Sequence, residues 1–205
     1  MNIAVFASGR GTNFQEILKA IDSGFLSARV VLLLSNRSDA VALDIARSRG
    51  IACVHLSRLQ CSSDEEFTQR MLAALQEQHA EFIALAGYLK RIPPPVIEQY
   101  ANRIVNIHPA LLPFFGGSGM YGHFVHEAVL ASGMKISGAT VHIVDDEYDH
   151  GIILFQKSVE IERGETAETL AKKVLNVEHE IFPLALKAFA EGKVVIEGKK
   201  AWIMR

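Results

Sequence analysis

Residues 2–13 read Asn-Ile-Ala-Val-Phe-Ala-Ser-Gly-Arg-Gly-Thr-Asn, a short apolar run that leads directly into a glycine-rich turn. A short apolar run bounded by a turn is typical of a strand that is buried on both faces. Apolar residues at helical spacing follow over residues 13–22. The segment therefore predicts a strand, a tight loop and a helix, which is the unit from which parallel sheets are built.

The same alternation of strand and helix continues through the first two thirds of the chain. Serine and aspartate residues at 38–39 and 62–64 supply N-cap side chains ahead of two of the helices. Repetition of this kind implies right-handed crossovers and a parallel sheet with helices on both faces. The predicted strands cover residues 3–7, 30–34, 51–56, 82–86 and 104–107, and the further helices cover residues 39–49 and 64–79.

The pattern becomes less regular after residue 108. A glycine-rich loop over residues 113–122 precedes a helix near 123–132, and an acidic turn over 145–151 separates two strand-like runs. Those runs cover residues 138–144 and 152–159, a long amphipathic helix covers about 166–190, and the tail predicts a small hairpin. We therefore expect an α/β protein with a single domain over residues 1–205, built on a mostly parallel twisted sheet.

Composition limits the classes of function. The chain has 205 residues, of which 49% are hydrophobic and 21% charged, an ordinary globular mixture. Its net charge of −2 predicts no general attraction to nucleic acid or to a membrane surface. The two cysteines, Cys53 and Cys61, lack the spacing of a zinc or redox pair, which favours reduced thiols and a cytoplasmic protein. The start resembles a first strand more than a signal peptide.

The loop from Ser8 to Asn13 is the first candidate for a binding site. Glycines let backbone N–H groups approach an anion, and the N-terminus of the following helix attracts negative charge. The dinucleotide fingerprint fails, because Phe14 occupies its third glycine position and Ser35-Asn36 ends the second strand without an acid. A single phosphate monoester fits better. A tight turn with a threonine cap remains the alternative.

Asn106 and His108 are the second candidate. Side chains alternate along a strand, so these two project from the same face, and Pro109 leaves the imidazole at the tip of the strand. A carboxamide beside an imidazole suits attack on a carbonyl, since one group supports the oxyanion while the other handles protons. A histidine after a buried strand is equally often structural.

The acidic turn holds the third candidate. Asp145, Asp146, Glu147 and Asp149 lie within five positions, so mutual repulsion predicts incomplete ionisation if the turn is packed down. A carboxylate paired with His108 would orient the ring and favour its cationic form. We choose Asp149 for this role, although a solvated turn is the simpler interpretation.

The other histidines predict no metal site. His123 and His126 lie three positions apart on a predicted helix, but no third ligand joins them at suitable spacing. His142 lies inside a predicted strand, where a hydrogen-bonded core residue is the simpler interpretation.

In this order, the clusters closely resemble the phosphoribosylglycinamide formyltransferase family of folate-dependent enzymes. The resemblance extends from Ile3 to about Trp202 and implies a Rossmann-like formyltransferase fold. Its motifs are Ser8-Gly-Arg-Gly-Thr-Asn13, Leu85-Ala-Gly-Tyr88, Asn106-Ile-His-Pro-Ala-Leu-Leu-Pro113, Val141-His-Ile-Val144 and Asp149-x-Gly151.

The resemblance implies roles for three sets of residues. Residues 1–105 would form a nucleotide-phosphate-binding half, and residues 106–205 a catalytic and folate-binding half. The catalytic residues would be Asn106, His108 and Asp149; the substrate-binding residues would be Gly11, Thr12, Asn13 and Glu178; and the folate-binding residues would be Leu89, Lys90, Arg91, Ile92, Asp145 and Asp146.

The function implied is transfer of a formyl group from the co-substrate 10-formyltetrahydrofolate to the amine of glycinamide ribonucleotide, without a metal. Such a protein would have small-molecule partners and would be a monomer or a homodimer. A hydrolase releasing formate from the same folate is the nearest rival, and initiator-tRNA formyltransferases share the His-Pro segment; both kinds carry a further domain that we do not expect here. A non-catalytic nucleotide-binding module is the rival from a different class.

Overall fold

A computed structural model describes residues 1–204, which divide into two compact units, Met1–Val105 and the chain from Asn106 onward. Cys53 and Cys61 are free. Among the described residues no helix is long and apolar enough to cross a membrane.

The first unit alternates strands and helices, as the sequence predicts. Its strands lie in the order β3-β2-β1-β4, and the pairs β1–β2, β1–β4 and β2–β3 are parallel. Nearly every residue of β1 and β4 is buried, so the core of the unit lies along these two strands. The elements are β1 (Asn2–Phe6), α1 (Thr12–Asp22), β2 (Arg29–Ser35), α2 (Val41–Ser48), β3 (Ala52–His55), α3 (Asp64–Glu77), β4 (Phe82–Leu85), α4 (Pro94–Gln99) and the start of β5 (Ile104–His108).

The second unit begins within β5 and contains an antiparallel strand pair, β6–β7, and a small terminal hairpin, β8–β9. Its longest helix, α6, buries ten residues along one side. The prediction of an α/β fold with a mostly parallel sheet and a C-terminal hairpin is confirmed. The elements are α5 (His123–Ala131), β6 (Ile136–Ile143), β7 (Ile153–Glu160), α6 (Ala167–Ala190), β8 (Val194–Glu197) and β9 (Lys200–Ile203).

Two local predictions need correction. The pair Ser38 and Asp39 does not cap α2, because the N-cap residue is Ala40 and the Asp39 carboxylate instead pairs with Arg37 at 2.7 Å. Helix α4 is not among the predicted helices, and the prolines at 93–95 form its N-cap and its first two residues. Proline is tolerated in the first turn of a helix, where its missing N–H has no partner to lose.

Thr140 fixes the segment that follows His108. Its buried hydroxyl donates to the carbonyl oxygen of Ala110 at 2.7 Å and accepts from the N–H of Leu112 at 3.1 Å. Gln156, which pairs with Thr140 from the neighbouring strand β7, donates to the same hydroxyl at 3.0 Å and to the carbonyl oxygen of Leu112 at 2.9 Å. The backbone that leaves β5 is thereby held to two neighbouring strands.

Replacing Thr140 with valine keeps the shape and removes the hydroxyl. The Leu112 N–H and Ala110 carbonyl would then be buried without this partner, so we expect the free energy of unfolding to fall by about 1–3 kcal/mol. Thr68→Val is the matched control, because that hydroxyl bonds a helix carbonyl near the surface and its loss should cost far less. Equal losses in urea unfolding would contradict the role assigned to Thr140.

Candidate active site

Strand β5 ends at His108 and presents Asn106 and His108 from the same face. His108 is buried and Asn106 half-buried. The Asn106 amide donates to Oδ1 of Asp149 at 3.3 Å, and Nδ1 of His108 lies 3.5 Å from the same oxygen. The structure therefore brings these three sequence-predicted residues together around one carboxylate oxygen.

Asp149 is held by the glycine-rich loop. Its second oxygen, Oδ2, accepts a hydrogen bond from the N–H of Gly117 at 2.9 Å. A Cβ atom on Gly116 would lie 2.9 Å from Cβ of Asp149 and 2.6 Å from the Leu112 side chain, so only glycine allows this approach. Asp149 itself has φ 54°, a left-handed conformation that most residues avoid and that is over-represented at functional sites.

His142 is a member of this cluster that the sequence did not identify as functional. The Asn106 amide donates to its Nε2 at 3.0 Å, and its Nδ1 donates to the carbonyl oxygen of Ile143 at 3.2 Å. Its Nε2 also lies 3.6 Å from Oδ1 of Asp149. His142 is buried and hydrogen-bonded, as predicted, but it contacts two candidate catalytic groups. Its place at the end of a buried strand, beside the acidic turn, was the available signal.

Asp149 is ionised more readily than an ordinary aspartate. Burial raises its pKa, but the neighbouring imidazoles of His142 and His108 and the Gly117 N–H outweigh burial and lower the pKa below its usual value. The prediction that repulsion within the acidic turn limits ionisation is therefore wrong for this residue. The groups that donate hydrogen bonds to its carboxylate are the Asn106 amide and the Gly117 N–H.

The predicted effect of a carboxylate on His108 is present, but burial outweighs it. Burial lowers its pKa, and the nearby carboxylate of Asp149 only partly offsets burial. The 3.5 Å between Nδ1 of His108 and Oδ1 of Asp149 exceeds the usual length of a strong hydrogen bond, so the carboxylate raises the pKa of His108 by less than burial lowers it. Nε2 lies 2.8 Å from the carbonyl oxygen of Phe115, so it bears the hydrogen and donates it. The ring is thus a neutral donor to a carbonyl oxygen.

The phosphate-loop candidates lie in the first unit. Gly11 has φ 72° and is the N-cap of α1, and a Cβ atom there would lie 2.9 Å from Cβ of Ala42. Thr12 and Asn13 are the first two helical residues, so the alternative of a threonine cap is wrong. The first turn of α1 contains no acidic residue, which leaves the helix N-terminus attractive to an anion.

The hydroxyl of Ser8 joins this loop to the segment proposed for folate. It donates to Oδ1 of Asn36 at 2.5 Å and accepts from the N–H of Leu89 at 2.9 Å. Leu89, Lys90 and Arg91 are exposed, whereas Ile92 is buried. The start of the segment is therefore anchored while its next residues face solvent.

The remaining candidates lie in the second unit. Asp146 is exposed, and the half-buried Asp145 accepts hydrogen bonds from His150 at 2.7 Å and from the N–H of Glu147 at 3.0 Å. Glu178 is buried on α6. The contacts of the substrate- and folate-binding candidates with their ligands stay predictions.

Two other features lie outside these clusters. A cavity of about 540 Å³ opens at the amino ends of β1, β2 and β3, the edge of the first unit opposite the Ser8–Asn13 loop; Asn2, Arg29 and Ala52 contribute to its lining. Over residues 1–204 no group of three or more His, Cys, Asp or Glu side chains is arranged to hold a metal ion.

Comparison with known proteins places this chain in a family. The formyl transferase family profile matches residues 1–186. Phosphoribosylglycinamide formyltransferase of Escherichia coli (strain K12) is 32% identical over 203 residues, which cover 99% of this chain and 93% of that protein. The chain therefore belongs to the formyl transferase family and, within it, groups with the phosphoribosylglycinamide formyltransferases. The resemblance inferred from the motifs is confirmed.

Two further proteins extend the comparison. The chloroplastic phosphoribosylglycinamide formyltransferase of Arabidopsis thaliana is 42% identical over 193 residues; the match covers 94% of this chain but 66% of that protein. The crystal structure of glycinamide ribonucleotide transformylase 1 from Symbiobacterium toebii has a TM-score of 0.94 at 36% identity, covering all of this chain and 94% of that one. The fold is thus shared almost throughout.

His126 on α5 is a second buried histidine whose pKa is lowered. It is 4% exposed, and burial, with a smaller contribution from the imidazole of His108, lowers its pKa to about 4. Its ordinary value, expected in the unfolded chain, is 6.5. As the pH falls below 6.5, the unfolded chain takes up a proton at this position while the folded protein does not.

This difference predicts that the free energy of unfolding rises with pH between 4 and 6.5. His126→Asn removes the titrating group, so the loss of stability between pH 7 and pH 5 should be about 2 kcal/mol smaller than in the wild type. Denaturant unfolding at the two pH values measures the difference. Identical losses would mean that His126 does not stay neutral when the protein is folded.

Proposed function

We propose that the protein transfers the formyl group of 10-formyltetrahydrofolate to the amine of N1-(5-phospho-D-ribosyl)glycinamide, a step of de novo purine (IMP) biosynthesis. The convergence of Asn106 and His108 on Oδ1 of Asp149 carries the proposal. Family membership supports it, since this chain spans almost the whole of the bacterial relative.

The reaction needs donors at the formyl oxygen. The glycyl amine attacks the formyl carbon as a neutral amine, and the carbonyl electron pair moves onto oxygen. One N–H of the Asn106 amide, exchanged from its present acceptor Asp149 or His142, and the Nε2–H of His108 are the donors for that oxyanion, which they stabilise more than the ground-state carbonyl. His108 already donates Nε2–H to a carbonyl oxygen, that of Phe115, and we assign the formyl oxygen to the same hydrogen bond.

The proton balance assigns a role to Asp149. The attacking nitrogen must lose one proton, and the folate nitrogen must gain one as its bond to the formyl carbon breaks. An ionised carboxylate suits the first task, and its lowered pKa keeps it ionised. The growing negative charge on the formyl oxygen would favour the cationic form of His108, which Asp149 would then stabilise.

The other residues would bind rather than react. We assign the substrate phosphate to Gly11, Thr12 and Asn13, where a helix N-terminus and a glycine meet. Glu178 would accept hydrogen bonds from the ribose hydroxyls. The folate would contact Leu89, Lys90, Arg91 and Ile92, together with Asp145 and Asp146.

We further propose that the protein acts in the cytoplasm, as a monomer or a homodimer, on small molecules alone. Free cysteines suit a reducing compartment. The small net charge of −2 gives no general affinity for nucleic acid or for anionic lipid.

Replacing either Asn106 or His108 should stop formyl transfer without preventing the nucleotide from binding. We expect Asn106→Ala and His108→Ala each to lower kcat by about a hundredfold or more, with nucleotide affinity within severalfold of the wild type. Formyl transfer is followed with purified protein, 10-formyltetrahydrofolate and glycinamide ribonucleotide. Lys157→Ala, which removes a surface ion pair with Glu180, is the control.

The same assay separates the rival functions. A hydrolase would release formate without the nucleotide, and a binding module would form no product in the wild type. Wild-type turnover retained in either alanine variant would remove Asn106 or His108 from the mechanism.

A further inference from the structure

The hydroxyl of Ser8 lies where strands β1 and β4 stop pairing. Beyond the strand ends, the Ala86 N–H donates to the carbonyl oxygen of Phe6 at 2.8 Å, and the N–H of Ser8 donates to that of Gly87 at 3.0 Å. Gly87 has φ 77°, a left-handed conformation that turns the chain out of the sheet. The Ser8 hydroxyl accepts the N–H of Leu89 at 2.9 Å and so extends the connection past the point where backbone pairing ends.

The same hydroxyl has no hydrogen left for a phosphate. A serine hydroxyl donates one hydrogen and accepts through its lone pairs. Ser8 is 3% exposed and donates that hydrogen to Oδ1 of Asn36 at 2.5 Å. Phosphate oxygens are acceptors, so they need donors around them. Although Ser8 begins the glycine-rich loop, its side chain therefore serves the Leu89 side and not the anion.

The candidate folate segment, residues 89–92, is anchored at both ends and exposed between them. Tyr88 precedes it and packs edge-on against Phe6 of β1, with 5.3 Å between the ring centroids. Ile92 at its end is buried. Exposed residues lose conformational freedom when a ligand binds to them, so an anchor that orders the segment beforehand lowers the cost of binding.

We propose that Ser8 is a positioning residue that orders residues 89–92 for the folate co-substrate before it binds. A serine of the glycine-rich loop then serves the co-substrate, while the nucleotide phosphate is left to Gly11, Thr12 and Asn13. The inference rests on the proposed function, because that function assigns the segment to folate.

A purely structural serine would behave differently on substitution. Loss of a hydroxyl that serves only the fold would lower stability and would not distinguish between the two substrates. Leu89 is 44% exposed, so water can replace the hydroxyl at its N–H, and the fold should lose little. A loss of affinity confined to folate would therefore identify positioning.

The test compares three variants of the full chain with the wild type. Ser8→Ala removes the hydroxyl, and Asn36→Ala removes the oxygen that orients it. Tyr100→Phe is the control, because it removes a hydroxyl of the same unit that donates to the carbonyl oxygen of Ala80, before the amino end of β4. Isothermal titration calorimetry gives the Kd for tetrahydrofolate and for glycinamide ribonucleotide separately, and the formyl-transfer assay gives kcat and KM.

We expect Ser8→Ala to raise the Kd for tetrahydrofolate and the KM for 10-formyltetrahydrofolate by about three- to tenfold, the contribution of one hydrogen bond. Its kcat and its Kd for the nucleotide should stay within about twofold of the wild type. Asn36→Ala should raise the two folate constants by less, because the hydroxyl remains. Tyr100→Phe should leave both affinities and kcat unchanged.

Wild-type affinity for tetrahydrofolate in Ser8→Ala would overturn the inference, and so would failure of that variant to fold. An equal loss of nucleotide affinity would also overturn it, because Ser8 would then belong to the phosphate site. An equal loss of folate affinity in Tyr100→Phe would make the effect a general one, with the same consequence. A wild-type protein that binds tetrahydrofolate but transfers no formyl group would instead overturn the proposed function.

Discussion

The carboxylate of Asp149 is the group on which the candidate site depends. One of its oxygens receives the Asn106 amide and faces His108, and the other receives a backbone N–H of the glycine-rich loop. The alternation of side chains along a strand places Asn106 and His108 on one face of β5. It does not fix their distance from Asp149, which lies about forty residues later in the chain. The left-handed backbone conformation of Asp149 and the absence of a side chain at Gly116 allow the carboxylate to come this close.

Burial and pairing act in opposite directions within this cluster. The carboxylate of Asp149 has enough donors around it to stay ionised despite burial, whereas the single carboxylate near His108 is too distant to keep that ring charged. A neutral imidazole that donates Nε2–H is suited to meet an uncharged carbonyl and then to support the charge that develops on it. The site is thus arranged for a charge that appears during the reaction.

Much of the fold could be predicted from periodicity, because buried parallel strands and amphipathic helices differ in the spacing of their apolar residues. The missed helix α4 shows the limit, since prolines in a first turn and prolines that break a helix have the same sequence. The failed cap at Ser38 and Asp39 shows another, because Arg37 competed for the carboxylate. In both cases the structure that forms depends on interactions beyond the few residues on which the prediction rests.

The candidate site was predictable in its chemistry and less so in its electrostatics. Asn106 and His108 share a strand face, so sequence spacing sufficed to pair them. The direction in which the pKa of His108 shifts could not be read from spacing, because it depends on burial and on the 3.5 Å that separates the ring from Asp149. The roles of His142 and Thr140 could not be predicted for a similar reason, because a polar residue inside a strand is functional or structural only through the groups that it contacts.

The most direct measurement is the formyl-transfer rate of Asp149→Asn beside the wild type. The amide keeps the shape but removes the charge and one acceptor from the point where Asn106 and His108 converge. The account predicts a fall in kcat of about a hundredfold or more with little change in nucleotide affinity. A rate within about twofold of the wild type would contradict it, because this carboxylate would then serve the fold and not the reaction.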